Sequence, residues 1–135
     1  MYNKDITSLT NNLFIFVNVK GSFNCSNCKN LTSLEGAPKE IGGNFFCRSC
    51  NNLTSLKGAP KKVGGNFYCS YCNNLTSLEG APKEIGRTFD CSYCNNLTSL
   101  EGAPKKVRTW YSLGNVQSFD EYDIKKVCSV TKIIT

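Results

Sequence analysis

The chain has 135 residues, 40% hydrophobic and 19% charged, with a formal net charge of +6, nine cysteines and no histidine. That length allows one domain with a modest core, and the missing histidine removes the commonest neutral-pH general base and metal ligand. The charge favours acidic partners but falls well short of a histone-like polybasic chain. The apolar run at residues 13–17 is too short for a bilayer, which needs about 20 residues. It also lacks the charged lead-in and small-residue cleavage site of a secretion signal. An odd cysteine count argues against a disulfide scaffold, so a reduced, cytoplasmic chain is expected.

Residues 1–20 read as an N-terminal cap. Ile6-Thr7-Ser8-Leu9 echoes a Leu-Thr-Ser-Leu motif found later, and residues 13–19 could cover the end of a stack. Residues 21–108 then hold four 22-residue units, at 21–42, 43–64, 65–86 and 87–108, aligned without gaps; the second and third differ at six positions. Repetition at this period means stacked rungs that bury one continuous core. Within a unit, Phe67 and Cys69 alternate as a short strand with both side chains inward. Cys72, Leu75 and Leu78 continue inward around a turn, Gly80-Ala81-Pro82 breaks regular structure, and Ile85 closes the circuit. Twenty-two residues are too few for a full helix, a strand and loops, so the return limb should be extended or a single helical turn.

Residues 109–135 read as a degenerate fifth copy and C-terminal cap. Tyr111, Leu113, Val116, Phe119 and Tyr122 are assigned to the Phe, Cys, Cys, Leu and Leu phases. Ser118-Phe119-Asp120-Glu121 has the pattern of a capping box, predicting a short helix to about Val127. The β-branched stretch 130–134 would add a last strand over an edge that is otherwise open.

The segment Phe67-Tyr68-Cys69-Ser70-Tyr71-Cys72-Asn73-Asn74-Leu75 resembles the L-x-L-x-x-N/C-x-x-L segment of leucine-rich repeats, with Cys72 at the ladder position. The whole unit is similar to short bacterial repeats of the BspA-like and YopM-like kinds. The resemblance covers 21–108 well and 109–122 loosely. It implies a mainly-β, right-handed coil with a parallel sheet whose outward face binds a ligand. Cys69 stands where aliphatics are commoner in the family, and Gly80 follows the second leucine; whether Leu75–Leu78 forms a second strand stays open.

Eight cysteines form CxxC pairs: Cys25/Cys28, Cys47/Cys50, Cys69/Cys72 and Cys91/Cys94. Eighteen residues separate successive pairs, a spacing that ordinarily reads as zinc. Three features favour packing instead. The sulfurs fall on phases the repeat must bury, no Gly or Pro lies between them to form a knuckle turn, and Leu113 and Val116 take the same phases in the fifth copy. A free thiol behaves as a small hydrophobe, so no metal or other cofactor is expected. Were zinc bound, these eight would be its ligands. Rungs about 4.8 Å apart would also place stacked thiols such as Cys47 and Cys69 within the Cα range of a disulfide. Cys128 has no evident partner.

Read vertically, the units form columns. Asn30, Asn52, Asn74 and Asn96 could satisfy buried turn backbone. Glu40, Lys62, Glu84 and Lys106 alternate in sign, which disfavours slipping by one repeat. Lys39, Lys61, Lys83 and Lys105 form a basic stripe that, beside those glutamates, reads as a solubilising edge.

The greatest variation lies in three columns beside the strand: Asn24, Phe46, Tyr68, Asp90; Ser26, Arg48, Ser70, Ser92; and Asn27, Ser49, Tyr71, Tyr93. Phe46, Arg48, Tyr68, Tyr71, Asp90 and Tyr93, flanked by Trp110, are the residue types enriched at binding hot spots. No acid or nucleophile has a catalytic partner at a recognisable spacing. The reading is therefore a non-catalytic protein-binding module. Short histidine-free arrays resemble proteins of bacteria and their phages, which implies an intracellular protein that binds and inhibits or scaffolds a protein partner. Neither nucleic acid nor membrane is expected. The alternative is a zinc-stabilised CxxC-repeat protein that binds nucleic acid through the lysine stripe.

Overall fold

A computed structural model describes Ser8, Leu9 and residues 18–135. The chain winds as a mainly-β parallel solenoid of about five turns, with rungs 22 residues apart. Each regular rung contributes two short strands on either side of a glycine corner. One ladder stacks β2 (Phe23–Asn24), β4 (Phe45–Phe46), β6 (Phe67–Tyr68) and β8 (Thr88–Asp90); the other stacks β1 (Asn18–Val19), β3 (Glu40–Ile41), β5 (Lys62–Val63) and β7 (Glu84–Ile85). All pairings are parallel and in the register of the repeat, such as Phe45 opposite Phe67 and Glu40 opposite Lys62. Both ladders end on β9 (Lys106–Tyr111), which β10 (Ser129–Ile134) extends by one more strand. The expected N-terminal cover lies mostly outside the described residues, although Leu9 is buried in the core.

The inward phases hold as read. Phe67, Cys69, Cys72, Leu75 and Leu78 are fully buried and Ile85 nearly so. Phe23, Phe45, Phe67 and Phe89 stack through the interior with ring centroids 5.4, 5.1 and 5.9 Å apart. Each fully buried ring of this kind contributes about 1.5–3 kcal/mol of hydrophobic stabilisation. The Leu75–Leu78 limb is not a strand; the second ladder is Glu84–Ile85 and its equivalents. Isolated cross-rung bonds still tie the limb, with Leu78 N–H donating to the Glu101 carbonyl at 3.0 Å.

The glycine corner is steric in origin. A Cβ on Gly42 would sit 2.5 Å from the Lys20 carbonyl oxygen, and one on Gly64 or Gly86 would overlap the carbonyl below it in the same way. Beside the corner, Asn44 and Asn66 form a side-chain ladder: the Asn44 Oδ1 accepts from Asn66 N–H at 2.8 Å, and the Asn66 Oδ1 from Thr88 N–H at 3.0 Å. This is the asparagine column that satisfies backbone. Asn30, Asn52, Asn74 and Asn96, assigned that task from sequence, are exposed instead.

The fifth rung departs from its predicted phase because it lacks one residue at the corner. Thr88 pairs with Thr109, twenty-one positions on, and the N–H groups of Arg108 and Thr109 share the Arg87 carbonyl at 2.9 and 3.1 Å. Without the second corner residue the two short strands merge into six-residue β9. Trp110 therefore takes the Phe phase and Tyr111 points outward, while Ser112 and Asn115 follow in the two Cys phases. Leu113 is only half-buried, and Val116 and Tyr122 are exposed. The cap that follows is α1 (Glu121–Val127), two residues later than the sequence pattern suggested. Its N-cap is Asp120, which forms a reciprocal capping box with Asp123. Ile124 and Phe119 are buried over the end of the core.

Candidate interaction surface

Sequence denied a tight turn to the CxxC segments because they lack glycine and proline. A tight turn is nevertheless there in every rung. Asn27, Ser49, Tyr71 and Tyr93, each just before the second cysteine, have φ of 63°, 57°, 62° and 57°. In this left-handed region a Cβ costs roughly 1–2 kcal/mol; Asn and Gly bear it most readily, and a bulky residue is an outlier. The equivalent place in the fifth rung is Gly114, with φ 64°. Tyr71 and Tyr93 thus occupy positions that the fold fills more easily with the residues it uses elsewhere. They are 50% and 41% exposed, with rings stacked 4.8 Å apart at 8°. The Tyr93 ring in turn lies against Gly114.

The strand column forms a second stack. Phe46 and Tyr68 face each other at 5.1 Å, and the Arg48 guanidinium lies 4.0 Å above the Tyr68 ring. Arg48 reaches on to Asp90, with 3.6 Å between Nη2 and Oδ2, so one side chain spans three rungs. Asp90 also accepts from Ser92 N–H at 3.0 Å, closing the turn before Tyr93. Six of the seven residues chosen from sequence therefore fall into two groups, the Phe46–Tyr68 stack joined by Arg48 to Asp90 and the Tyr71–Tyr93 stack three positions further along the repeat. Ser26, Ser70 and Ser92 do not present an outward column as expected. They are buried, and Ser26 Oγ accepts from Arg48 N–H at 3.2 Å while Ser92 Oγ accepts from Leu113 N–H at 3.1 Å.

Trp110 must be removed from the surface. It is fully buried, tilted 58° against Phe89 at 4.8 Å, and ends the internal aromatic stack. The missing corner residue moved it inward by one position, and Tyr111 takes the outward place.

All nine cysteines are buried, and no disulfide joins them. In the first column, Cys47, Cys69 and Cys91 thiols donate to the Tyr68, Asp90 and Tyr111 carbonyls of the following rung at 3.4–3.5 Å. In the second, Cys50, Cys72 and Cys94 donate back to the Cys25, Cys47 and Cys69 carbonyls at 3.1–3.2 Å. The thiols thus stitch neighbouring rungs diagonally, with Cys50 over Cys25, not in the vertical pairs suggested by rung spacing. Fifth-copy Leu113 and Val116 do not share these phases, so the packing role rests on burial and thiol donation. Burial pushes the Cys47, Cys69 and Cys91 thiols well up, and Cys94 to about 12. Cys25 is pushed up chiefly by its hydrogen bond with Cys50, which is lowered by that same bond. Among the described residues, no three His, Cys, Asp or Glu side chains converge to hold a metal ion, and no helix is long and apolar enough to cross a membrane.

The fold and these two ladders define a cysteine-rich parallel β-solenoid with an aromatic outer strip. No family model, curated protein or solved structure matches the chain.

Proposed function

We propose that the chain is a non-catalytic binding module that engages a protein partner through Phe46, Arg48, Tyr68, Tyr71, Asp90 and Tyr93. The observation that carries this reading is the left-handed backbone at two exposed tyrosines. Strained positions kept against an easier alternative cluster at sites of function, and here the easier alternatives stand in the same column, as Asn27 in the first rung and Gly114 in the fifth. Exposed stacked tyrosines with a neighbouring arginine are also the chemistry of interface hot spots. Following the resemblance to bacterial and phage leucine-rich repeats, the module acts in the cytoplasm by blocking or scaffolding its partner.

The test replaces the tyrosines by the column's own residues, Tyr71→Asn with Tyr93→Ser. Partner recovery from the native host, quantified by mass spectrometry after crosslinking, should fall more than tenfold for the double variant while its thermal unfolding matches the parent. Lys61→Ala with Lys83→Ala should leave recovery unchanged. Equal recovery with both pairs of substitutions would remove this surface from consideration.

A further inference from the structure

The side of the solenoid built on β1, β3, β5 and β7 differs in kind from the aromatic strip. Its outer face carries a trench of about 370 Å³ between Lys62 and Arg108, and a second of about 240 Å³ that shares Lys62 and Gly64 with the first and reaches Lys20. The floor is backbone, because the corner residues there are Gly42, Gly64 and Gly86. Along one wall the charges alternate. Next to it the lysines at 39, 61, 83 and 105 are tied by their own backbone ladder, with Lys61, Lys83 and Lys105 N–H donating to the preceding lysine carbonyl at 2.8, 3.1 and 2.9 Å.

Sequence placed these lysines beside the neighbouring glutamates and read a solubilising edge. The geometry separates them. Glu84 pairs with Lys62 inside its own column at 3.9 Å, and among the described residues Lys61, Lys83 and Lys105 form no ion pair. Adding Lys20, Arg87 and Arg108 at the corner, this side holds nine exposed cationic side chains against two carboxylates. The rest of the described chain has six cations and seven carboxylates. The positive charge of the molecule is thus concentrated on one side, opposite in character to the tyrosine ladders.

We propose that this corner is a second binding site, for the phosphate backbone of a nucleic acid. A row of ammonium groups at rung spacing, about 4.8 Å apart and about 15 Å long, matches a uniform line of charge. The lysine row flanks a separate shallow hollow of about 450 Å³ lined by Ala59, Pro60, Gly80 and Ala81, and neither this hollow nor the trench offers an aromatic anchor of the kind that marks a protein hot spot. Lysine contacts to phosphate carry no sequence information, and recognition here is sequence-independent. The site does not depend on the tyrosine surface, and either can fail alone.

The probe is a fluorescein-labelled, mixed-sequence single-stranded DNA of fifteen nucleotides, followed by anisotropy. Four lysine–phosphate contacts give a log–log salt slope of about −3, equivalent to roughly fifty-fold weaker binding at 200 than at 50 mM salt. Lys61→Gln, Lys83→Gln and Lys105→Gln together should flatten the slope by about 2, with circular dichroism unchanged. Tyr71→Asn with Tyr93→Ser should leave the slope as it is. Absence of binding at 50 mM salt, or a slope indifferent to the three glutamines, would overturn the assignment. So would equal competition by poly-glutamate at matched charge, since the site would then read acidic peptide.

Discussion

The regular rungs and the fifth rung are built on the same columns and differ by one residue, where Gly-Gly or Gly86-Arg87 shrinks to Arg108 alone. In the regular rungs the corner separates two strands of two or three residues; in the fifth the strands fuse and a straight edge forms on which β10 can lie. The comparison teaches that the corner, more than the strands, sets the phase of everything after it. Deleting one residue there moves the inward position one residue earlier, from Tyr111 to Trp110, because the ladder keeps Trp110 opposite Phe89.

The sharpest break of that comparison is Trp110. If it is the terminal member of the phenylalanine stack, Trp110→Ala should cost about 4 kcal/mol in urea unfolding. Trp110→Phe should cost less than about 1.5 kcal/mol, since it restores the ring of the regular rungs. It also deletes an indole Nε1 that is buried with no partner among the described residues. A large loss on Trp110→Phe would mean that the fifth rung needs the indole itself and is not a phase-shifted copy.

The corner comes next. Gly64→Ala places a methyl group against the Gly42 carbonyl oxygen and should cost about 2–3 kcal/mol by forcing two rungs apart. Gly21, in the first described rung, has nothing within 4 Å of a Cβ among the described residues, so Gly21→Ala should stay within about 0.5 kcal/mol of the parent. Equal effects at both positions would show that the cost is loss of backbone freedom and not contact between rungs.

Much of this was legible in the sequence. The period of 22, the inward Phe and Cys and the outward Tyr68 follow from alternation between turn signals, and near-identical units state that pattern four times. The phase of the fifth copy was not, because Trp110 and Tyr111 are adjacent aromatics and either suits a Phe position. The discriminating signal was spacing: Ile41 to Phe45 and Ile85 to Phe89 are four positions apart, Val107 to Trp110 three. The turns between cysteines were illegible for another reason. A left-handed tyrosine is recognised from its backbone, and no preference of the residue type announces it.

A third contrast lies between the cysteine-stitched rungs and an ordinary aliphatic core. Cys94 is raised to about 12 and Cys128 to about 11 by burial, from an ordinary value of 9.0. These groups are neutral when protonated, so the unfolded chain loses their protons first as pH rises. Their contribution is intact below pH 9 and is lost between pH 9 and the folded values, at about 1.4 kcal/mol per pH unit for Cys94. The urea midpoint should be level from pH 7 to 8 and fall from pH 9 to 10.5, and Cys94→Ala should reduce the slope. A midpoint level to pH 10.5 would place the thiols in contact with solvent.

The smallest expected effect separates the tyrosine turns from the same turns in the first two rungs. Tyr71→Asn relieves part of a left-handed cost of about 1–2 kcal/mol but removes a ring stack worth about 0.5–1.5 kcal/mol, so its net effect on stability should be close to zero. In a Tyr93→Ser background the stack is already gone, and the same substitution should stabilise by about 1 kcal/mol. The cycle therefore isolates strain from stacking. A tyrosine that the fold does not need but that occupies an unfavourable backbone position is explained by what it touches outside the chain. If Tyr71→Asn instead cost more than 2 kcal/mol in both backgrounds, Tyr71 would be a structural residue shielding the turn, and the main support for a binding surface on this strip would be gone.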